Sequence, residues 1–335
     1  MRRSTIIGFL AGLIALLASA LWIANTVTWP RTPLPPRTGI AMADVKSWGY
    51  QLQRVQPSLM PPSLDLLVVD YARDGGETSA LSTADIARLR RRPDGSSRIV
   101  LAYMSVGEAE NYRFYWRRHW AITPPSWLGA ENPEWKGNFR VRYWDPGWQR
   151  VFVDPQRTLL DLLIGTFDGT RKPYLDRIIE AGFDGVYLDR VDAFYDRAKE
   201  FPAAEDEMVA LVGRLSAYAK QRRPGFLIVP QNGEELLQHA AYRRTIDAVA
   251  KEDLVLGIAG TEQENTKEDI DRSIELLNHA KTDRLPVLVV EYAQAPAKQA
   301  LVRARLDRLG YVLHYARRDL NLPPELLPAP PAAAQ

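Results

Sequence analysis

The residues best able to do chemistry in this sequence are carboxylates that close short apolar runs. Asp70 ends the run 66–70, Asp189 ends 185–189, Glu252 ends 248–252 and Glu291 ends 287–291. Tyr103 and Gln231 hold the same place after two further runs, with Glu108 and Asn232 just beyond. Burying a carboxylate is unfavourable unless it is paired or hydrogen-bonded, so packing alone does not select four acids at such positions. Two carboxylates are what glycoside hydrolysis needs. One protonates the leaving oxygen, and the other attacks the anomeric carbon or activates water. Partial burial and a nearby like charge raise the pKa of one member, which then holds its proton near neutrality. Such a site also attracts a cationic sugar bearing a free amine. Position alone does not choose two acids among the four. Asp70 and Glu291 are equally well explained as a helix cap or an arginine partner, Asp192 and Arg190 as a local ion pair, and Asp145 as a cap.

Other chemistries find little support. The chain has 335 residues and no cysteine, which excludes disulfides and thiolate sites. His119, His239, His279 and His314 are far apart, without metal-ligand spacing, and read as surface or hydrogen-bonded residues. No phosphate-cradling glycine loop and no nucleophile-elbow serine occur. The expectation is an enzyme without metal or cofactor, although a carboxylate-rich Mg2+ or Ca2+ site is chemically open. A net charge of +2 with scattered basic residues argues against a nucleic-acid partner.

The elements that must position these acids are legible. Eight β-type runs, 48–52, 66–70, 99–103, 185–189, 226–231, 248–252, 287–291 and 311–314, alternate with helical patterns at 83–92, 146–164, 174–181, 205–222, 266–280 and 296–309. Near-continuous apolar runs suit parallel strands buried on both faces, and eight of them close a barrel. The fold class is therefore α/β, a single (β/α)8 TIM-type barrel, with a doubly wound open sheet as the alternative. In a barrel all strand C-termini open on one face, where the site lies. Two details fit the ideal poorly: the link 53–64 is short and Pro-rich, and little chain follows the last run. A long insert after the third strand, roughly 105–145, carries eight Trp and Tyr rings. Most of these read as a satellite core, with Trp116 and Trp144 as the candidates for stacking on sugar.

The segments LLVVDYARDG, VLAYMSVGEAENYRFYW, NFRVRYWDPGWQ, GFDGVYLDRVDAF and VPQNGEELL resemble glycoside hydrolase family 114, which includes endo-α-1,4-polygalactosaminidases. The similarity runs from about residue 48 to 315. It implies a TIM-type barrel and hydrolysis of an α-1,4-linked galactosamine polymer. The family's catalytic Asp matches Asp189 in YLD, as nucleophile, and its acid/base Glu matches Glu252 in AKED. Asp70, Tyr103, Glu108, Gln231, Asn232 and Glu291 would line the sugar site. The SVGEAE and RYWDP segments are closer to the less-characterised branch of the family, which leaves the sugar less constrained than the reaction. A barrel that binds cell-surface polysaccharide without cleaving it is the competing expectation.

The chain ends complete the picture. Arg2 and Arg3 precede an uncharged apolar run, 5–24, containing Ala18-Ser19-Ala20. This reads equally as a cleaved signal peptide or as an uncleaved anchor attaching the chain to a membrane, and either places the rest in the periplasm or outside the cell. Residues 25–39 read as a Pro-rich tether, 40–321 as the barrel, and 322–335 as a disordered Pro/Ala tail.

Overall fold

The computed structural model describes residues 33–153, 172–199, 201–321 and 323. Eight parallel strands form its centre. One arc runs β1 (Trp48–Gln51), β2 (Leu66–Val69), β3 (Ile99–Ser105), β7 (Gly185–Asp189) and β8 (Leu227–Pro230). A second arc holds β9 (Val249–Glu252), β10 (Val287–Glu291) and β11 (Val312–Tyr315). The regular ladder is interrupted at two seams. At the first, Asn232 N–H donates to Ala250 O at 2.9 Å and Asp247 N–H to Ile228 O at 2.9 Å. At the second, β1 lies beside β11 and the Trp48 indole donates to Val312 O at 2.8 Å. The strands thus follow in the ring order of a (β/α)8 barrel.

Side chains alternate along each strand, as a period of two requires. Leu66, Val68, Leu101, Tyr187, Val229, Ala250, Leu288 and Val290 point into the barrel, while Leu67, Val69, Ala102, Val186, Leu188, Ile228 and Val289 face the helices. Trp48, Tyr50 and Tyr187 fill the interior, with Tyr50 and Tyr187 centroids 5.1 Å apart. His314, expected at the surface or hydrogen-bonded, instead lies inside against Trp48 with 1% exposure. Burial lowers its pKa to about 3, so it stays neutral.

The covering helices are α1 (Thr83–Arg90), α2 (Pro146–Phe152), α3 (Tyr174–Ala181), α4 (Ala204–Arg222), α5 (Ala240–Arg243), α6 (Lys267–Thr282) and α7 (Pro296–Leu306). Their ends follow local chemistry. Ser82 and Asp85 form a capping box on α1, Asp145 accepts from Gly147 N–H on α2, and Gly182 at φ 101° stops α3. The link after β1 contains only a 3-10 turn at Pro57–Leu59. The expected continuation of α2 over 154–164 lies outside the described residues, as do the N-terminal apolar run and all but residue 323 of the tail. The last part of the expected tether is corrected. Residues 33–38 pack on the barrel, with Leu34 N–H donating to Arg222 O and Arg37 N–H to Pro224 O. Among the described residues no helix is long and apolar enough to cross a membrane.

The insert after β3 folds into an antiparallel sheet of β4 (Glu108–Glu110), β6 (Asn138–Val141) and β5 (Leu128–Glu131). These strands are three or four residues long and each carries a charge, so the sequence pattern did not mark them.

Candidate active site

The strand C-termini open onto a cavity of about 680 Å3. At its base Asp189 and Glu252 face each other across Gln231. Gln231 Nε2 donates to Asp189 Oδ1 at 3.1 Å and to Glu252 Oε1 at 3.0 Å. Its own carbonyl oxygen accepts from the Tyr187 hydroxyl at 2.6 Å, which fixes the orientation of the amide. Strand register brings these groups together. Asp189 shares the parity of Tyr187, Gln231 that of Val229, and Glu252 that of Ala250, so all three side chains turn inward.

Each carboxylate has a distinct remaining environment. Asp189 Oδ2 accepts from the Tyr103 hydroxyl at 2.6 Å, and Oδ1 also accepts from Arg190 N–H at 2.8 Å. Glu252 Oε1 accepts from Asn232 Nδ2 at 2.9 Å, and Oε2 from the Tyr292 hydroxyl at 2.8 Å. Asn232 belongs to the outward parity of its strand. A left-handed backbone at φ 62° re-aims it toward Glu252, whose N–H it also accepts at 3.2 Å. Asparagine tolerates that conformation better than most side chains.

Burial raises the pKa of both acids. The Tyr103 hydrogen bond and the Arg190 charge oppose the rise at Asp189. At Glu252 the negative charges of Asp189 and Asp253 add to burial and outweigh the hydrogen bonds from Tyr292 and Asn232, lifting it to about 7. Two carboxyls that share a hydrogen-bonding amide but differ in this way can divide into one ionised and one protonated group near neutrality.

A second layer of charge surrounds the pair. Glu108 is 1% exposed, accepts from Asn132 Nδ2 at 2.8 Å and lies 3.2 Å from Arg190 Nε. Arg190 reaches Asp192 at 3.3 Å, the local pair expected from sequence, and Asp196 at 2.8 Å. Burial and the Asp189 charge lift Asp192 to about 6 against the pull of Arg190. Asp70 lines the cavity but is spent on Arg113, whose guanidinium contacts both its oxygens at 2.8 and 2.7 Å. The same guanidinium is held by Glu110, at 2.6 Å from its Nε.

Three expected site residues lie elsewhere. Glu291 shares the outward parity of Val287 and Val289, and its oxygens accept from Val255 N–H at 2.6 Å and Leu256 N–H at 3.2 Å. It is an anchor for the loop after β9. Its neighbour Tyr292 takes the inward place. Trp116 packs on Phe139 and Trp120, with centroids 4.8 and 5.3 Å away, and Trp144 stacks on Phe201 at 4.5 Å. Both pack as partly buried rings against the main hydrophobic core instead of lining the cavity. The rings that line the cavity and stay exposed are instead Trp135, at 53%, and Tyr112, at 44%. Trp135 follows Asn132-Pro133 in the loop joining β5 and β6, a turn signal that was available in the sequence. Tyr187, Tyr292 and Arg113 were also missed. Among the described residues no cluster of His, Asp and Glu could hold a metal ion.

Comparison with known proteins agrees with this fold. The model of glycoside-hydrolase family GH114 matches residues 30–322. An uncharacterized protein of Methanocaldococcus jannaschii, MJ1477, is 36% identical over 295 residues, covering 82% of this chain and 76% of its own length. An uncharacterized protein of Deinococcus radiodurans is 34% identical over 300 residues, covering 88% of this chain and 87% of its own. The glycoside hydrolase domain of PelA from Pseudomonas aeruginosa has a similar fold, with a TM-score of 0.58 at 19% identity, covering 83% of this chain and 97% of that domain.

Proposed function

This chain belongs to glycoside-hydrolase family GH114 and so acts on glycosidic bonds, and we propose that it works outside the cytoplasm with Asp189 as nucleophile and Glu252 as general acid/base. The polymer we assign is an α-1,4-linked, galactosamine-containing polysaccharide, cleaved with retention of configuration. In the first step an Asp189 oxygen bonds to the anomeric carbon while Glu252 gives its proton to the departing glycosidic oxygen. In the second, Glu252 takes a proton from water, whose oxygen displaces Asp189 from the same carbon.

One observation carries this reading, the single Gln231 nitrogen that bonds both carboxyls. Its two contacts, at 3.1 and 3.0 Å, hold the nearest oxygens of the pair within about 6 Å of each other. Retaining pairs stand about 5–5.5 Å apart, whereas inverting pairs need about 6.5–9.5 Å to admit water. The pKa order supports the roles. Glu252, lifted to about 7, keeps a proton to give, and Asp189 has Tyr103 and Arg190 to favour its charge. Asp192 on the cleft wall offers a partner for a sugar amine. The apolar run 5–24 supports export, with the chain held at a membrane by that segment if it is not removed.

The test is incubation of the protein with partly deacetylated α-1,4-galactosamine polymer and with other amino-sugar and neutral polymers. The expected products are short oligomers released first as the α anomer by NMR. Initial β anomer would overturn retention, and cleavage confined to neutral polymers would overturn the substrate.

Trp135 is expected to act as the stacking platform for this polymer. Trp135→Ala should raise KM about tenfold with little change in kcat, the pattern of a lost binding contact, from a ring whose stacking is worth about 1 kcal/mol or more. Trp116→Ala should leave KM unchanged. Equal effects of the two variants on KM would remove Trp135 from the site.

A further inference from the structure

We propose that the barrel end opposite the cleft carries a seat for anionic phospholipid headgroups, in a groove between α1 and the turn 57–62. The groove encloses about 690 Å3 and is lined by Arg88, Arg91, Arg92 and Arg98 together with Met60 and Leu89. No carboxylate lines it. Among the described residues only Arg92 of the four is ion-paired, to Asp65 at 2.7 Å. Arg98 is the unusual member. It is 3% exposed, and its terminal nitrogens donate only to the neutral carbonyls of Pro61 and Pro62, at 2.5 and 3.2 Å. Its Nε finds no acceptor among the described residues. Its counter-charge, Asp65, is already held by Arg92, and a buried cation without an ion pair of its own is costly, so the site favours an anion. Guanidinium forks bind phosphate oxygens well, and the apolar wall suits the acylated side of a headgroup better than a free ion.

The position of the groove selects a membrane as the source of that phosphate. Arg98 directly precedes β3, so the groove opens at the N-terminal ends of the strands while the catalytic cleft opens at their C-terminal ends. The chain leading back to the apolar run 5–24 crosses the same end. Leu34 N–H bonds Arg222 O at 2.8 Å, and Arg90, the last residue of α1, donates to Thr38 O at 3.1 Å. Only eight residues lie between position 24 and position 33, a span of about 30 Å at most. A bilayer holding the apolar run would therefore lie against the arginine groove. Each basic side chain near an anionic leaflet adds attraction that falls off within a Debye length. The barrel would stand on its N-terminal end with the cleft turned toward polymer in the surrounding medium.

This inference rests on the export reading with residues 5–24 kept as an anchor, and is independent of the hydrolytic one. The full chain is inserted into vesicles of phosphatidylcholine alone or with about one-third phosphatidylglycerol, a fraction giving a strongly anionic surface. Amide hydrogen exchange is followed over residues 84–98. Phosphatidylglycerol is expected to slow exchange there at least about threefold, as binding to the folded groove suppresses local opening. The protection should vanish near 1 M salt, where the Debye length is about 3 Å. It should also vanish in the variant Arg88→Glu/Arg91→Glu, whose substituted positions are exposed and whose melting temperature should match that of the parent. Equal exchange in both vesicle types overturns the proposal. The same slowing by inorganic phosphate in phosphatidylcholine vesicles overturns the lipid assignment in favour of a small-anion site. Failure of the chain to enter vesicles at all overturns the anchoring by residues 5–24 on which this one rests, and hydrolysis assayed on the same sample reports separately on the cleft.

Discussion

Glu252→Gln is expected to lower kcat/KM by about 10²–10⁴-fold, the usual contribution of a positioned general acid, while leaving the barrel folded. The amide is isosteric with the acid and can keep the contacts to Gln231 and Asn232 through its oxygen, while its NH2 donates to Tyr292. What it lacks is a proton that can leave. In the parent enzyme the alkaline limb of kcat/KM should fall near pH 7, because Glu252 loses its proton there. Asp189→Asn removes the second-largest cause of that elevation, so the Glu252 pKa should drop in this variant, as read by carboxyl carbon NMR. A Glu252 titration that ignores Asp189 would break the pairing. Hydrolysis retained in either variant would sink the catalytic assignment.

The same shift has a stability consequence of definite sign. Glu252 titrates near its ordinary 4.5 when unfolded and near 7 when folded, so between those values the native state binds more protons. Stability contributed by the protonated form is complete below about pH 4.5 and is lost as pH rises through about 7. Glu252→Gln has no such loss. Its melting temperature should exceed the parent's above pH 7 and converge on it toward pH 4.5, so that activity and stability move in opposite directions.

Arg113→Met is expected to destabilise the fold by about 3–5 kcal/mol, the penalty for stranding buried charges when one partner is removed. Arg113 is 3% exposed and lies between Asp70 at the end of β2 and Glu110 on β4. It fastens the insert to the barrel, and without it two carboxylates, 4% and 1% exposed, would face each other unpaired. Burial already raises the Asp70 pKa, with the Arg113 charge working against it. Adding Asp70→Asn and Glu110→Gln to Arg113→Met should recover much of the loss by removing the stranded charge. Urea unfolding measures both effects. A single-variant loss below about 1 kcal/mol, or no recovery in the triple variant, would show that the network is not the clasp described.

Much of this was legible from residues in order. All eight barrel strands, the capped starts of α1 and α2 and the Gly182 stop of α3 follow from local propensity and capping, which act over a few residues. That Asp70, Tyr103, Asp189, Gln231 and Glu252 share one rim follows from the parallel arrangement alone. The antiparallel sheet of the insert was hidden because its strands are three or four residues long and carry charges. The ring assignment within it failed for a related reason. Trp116, Trp144 and Trp135 are alike as residues, and only the packing of the insert decides which is covered.

The sequence by itself determined a chain of parallel apolar strands with acids at their C-terminal ends, and a family resemblance that singled out Asp189 and Glu252. It could not determine which parity of each strand faces inward, since a strand buried on both faces is apolar at every position. The tertiary structure decided that. It turned Glu252 into the cleft and Glu291 away from it, although both end similar runs, and set Tyr292 in the inward place. It also placed one Gln231 nitrogen between two carboxyls 63 positions apart in the chain. The distance between such groups is fixed by strand register around the ring, a long-range property that no local pattern encodes.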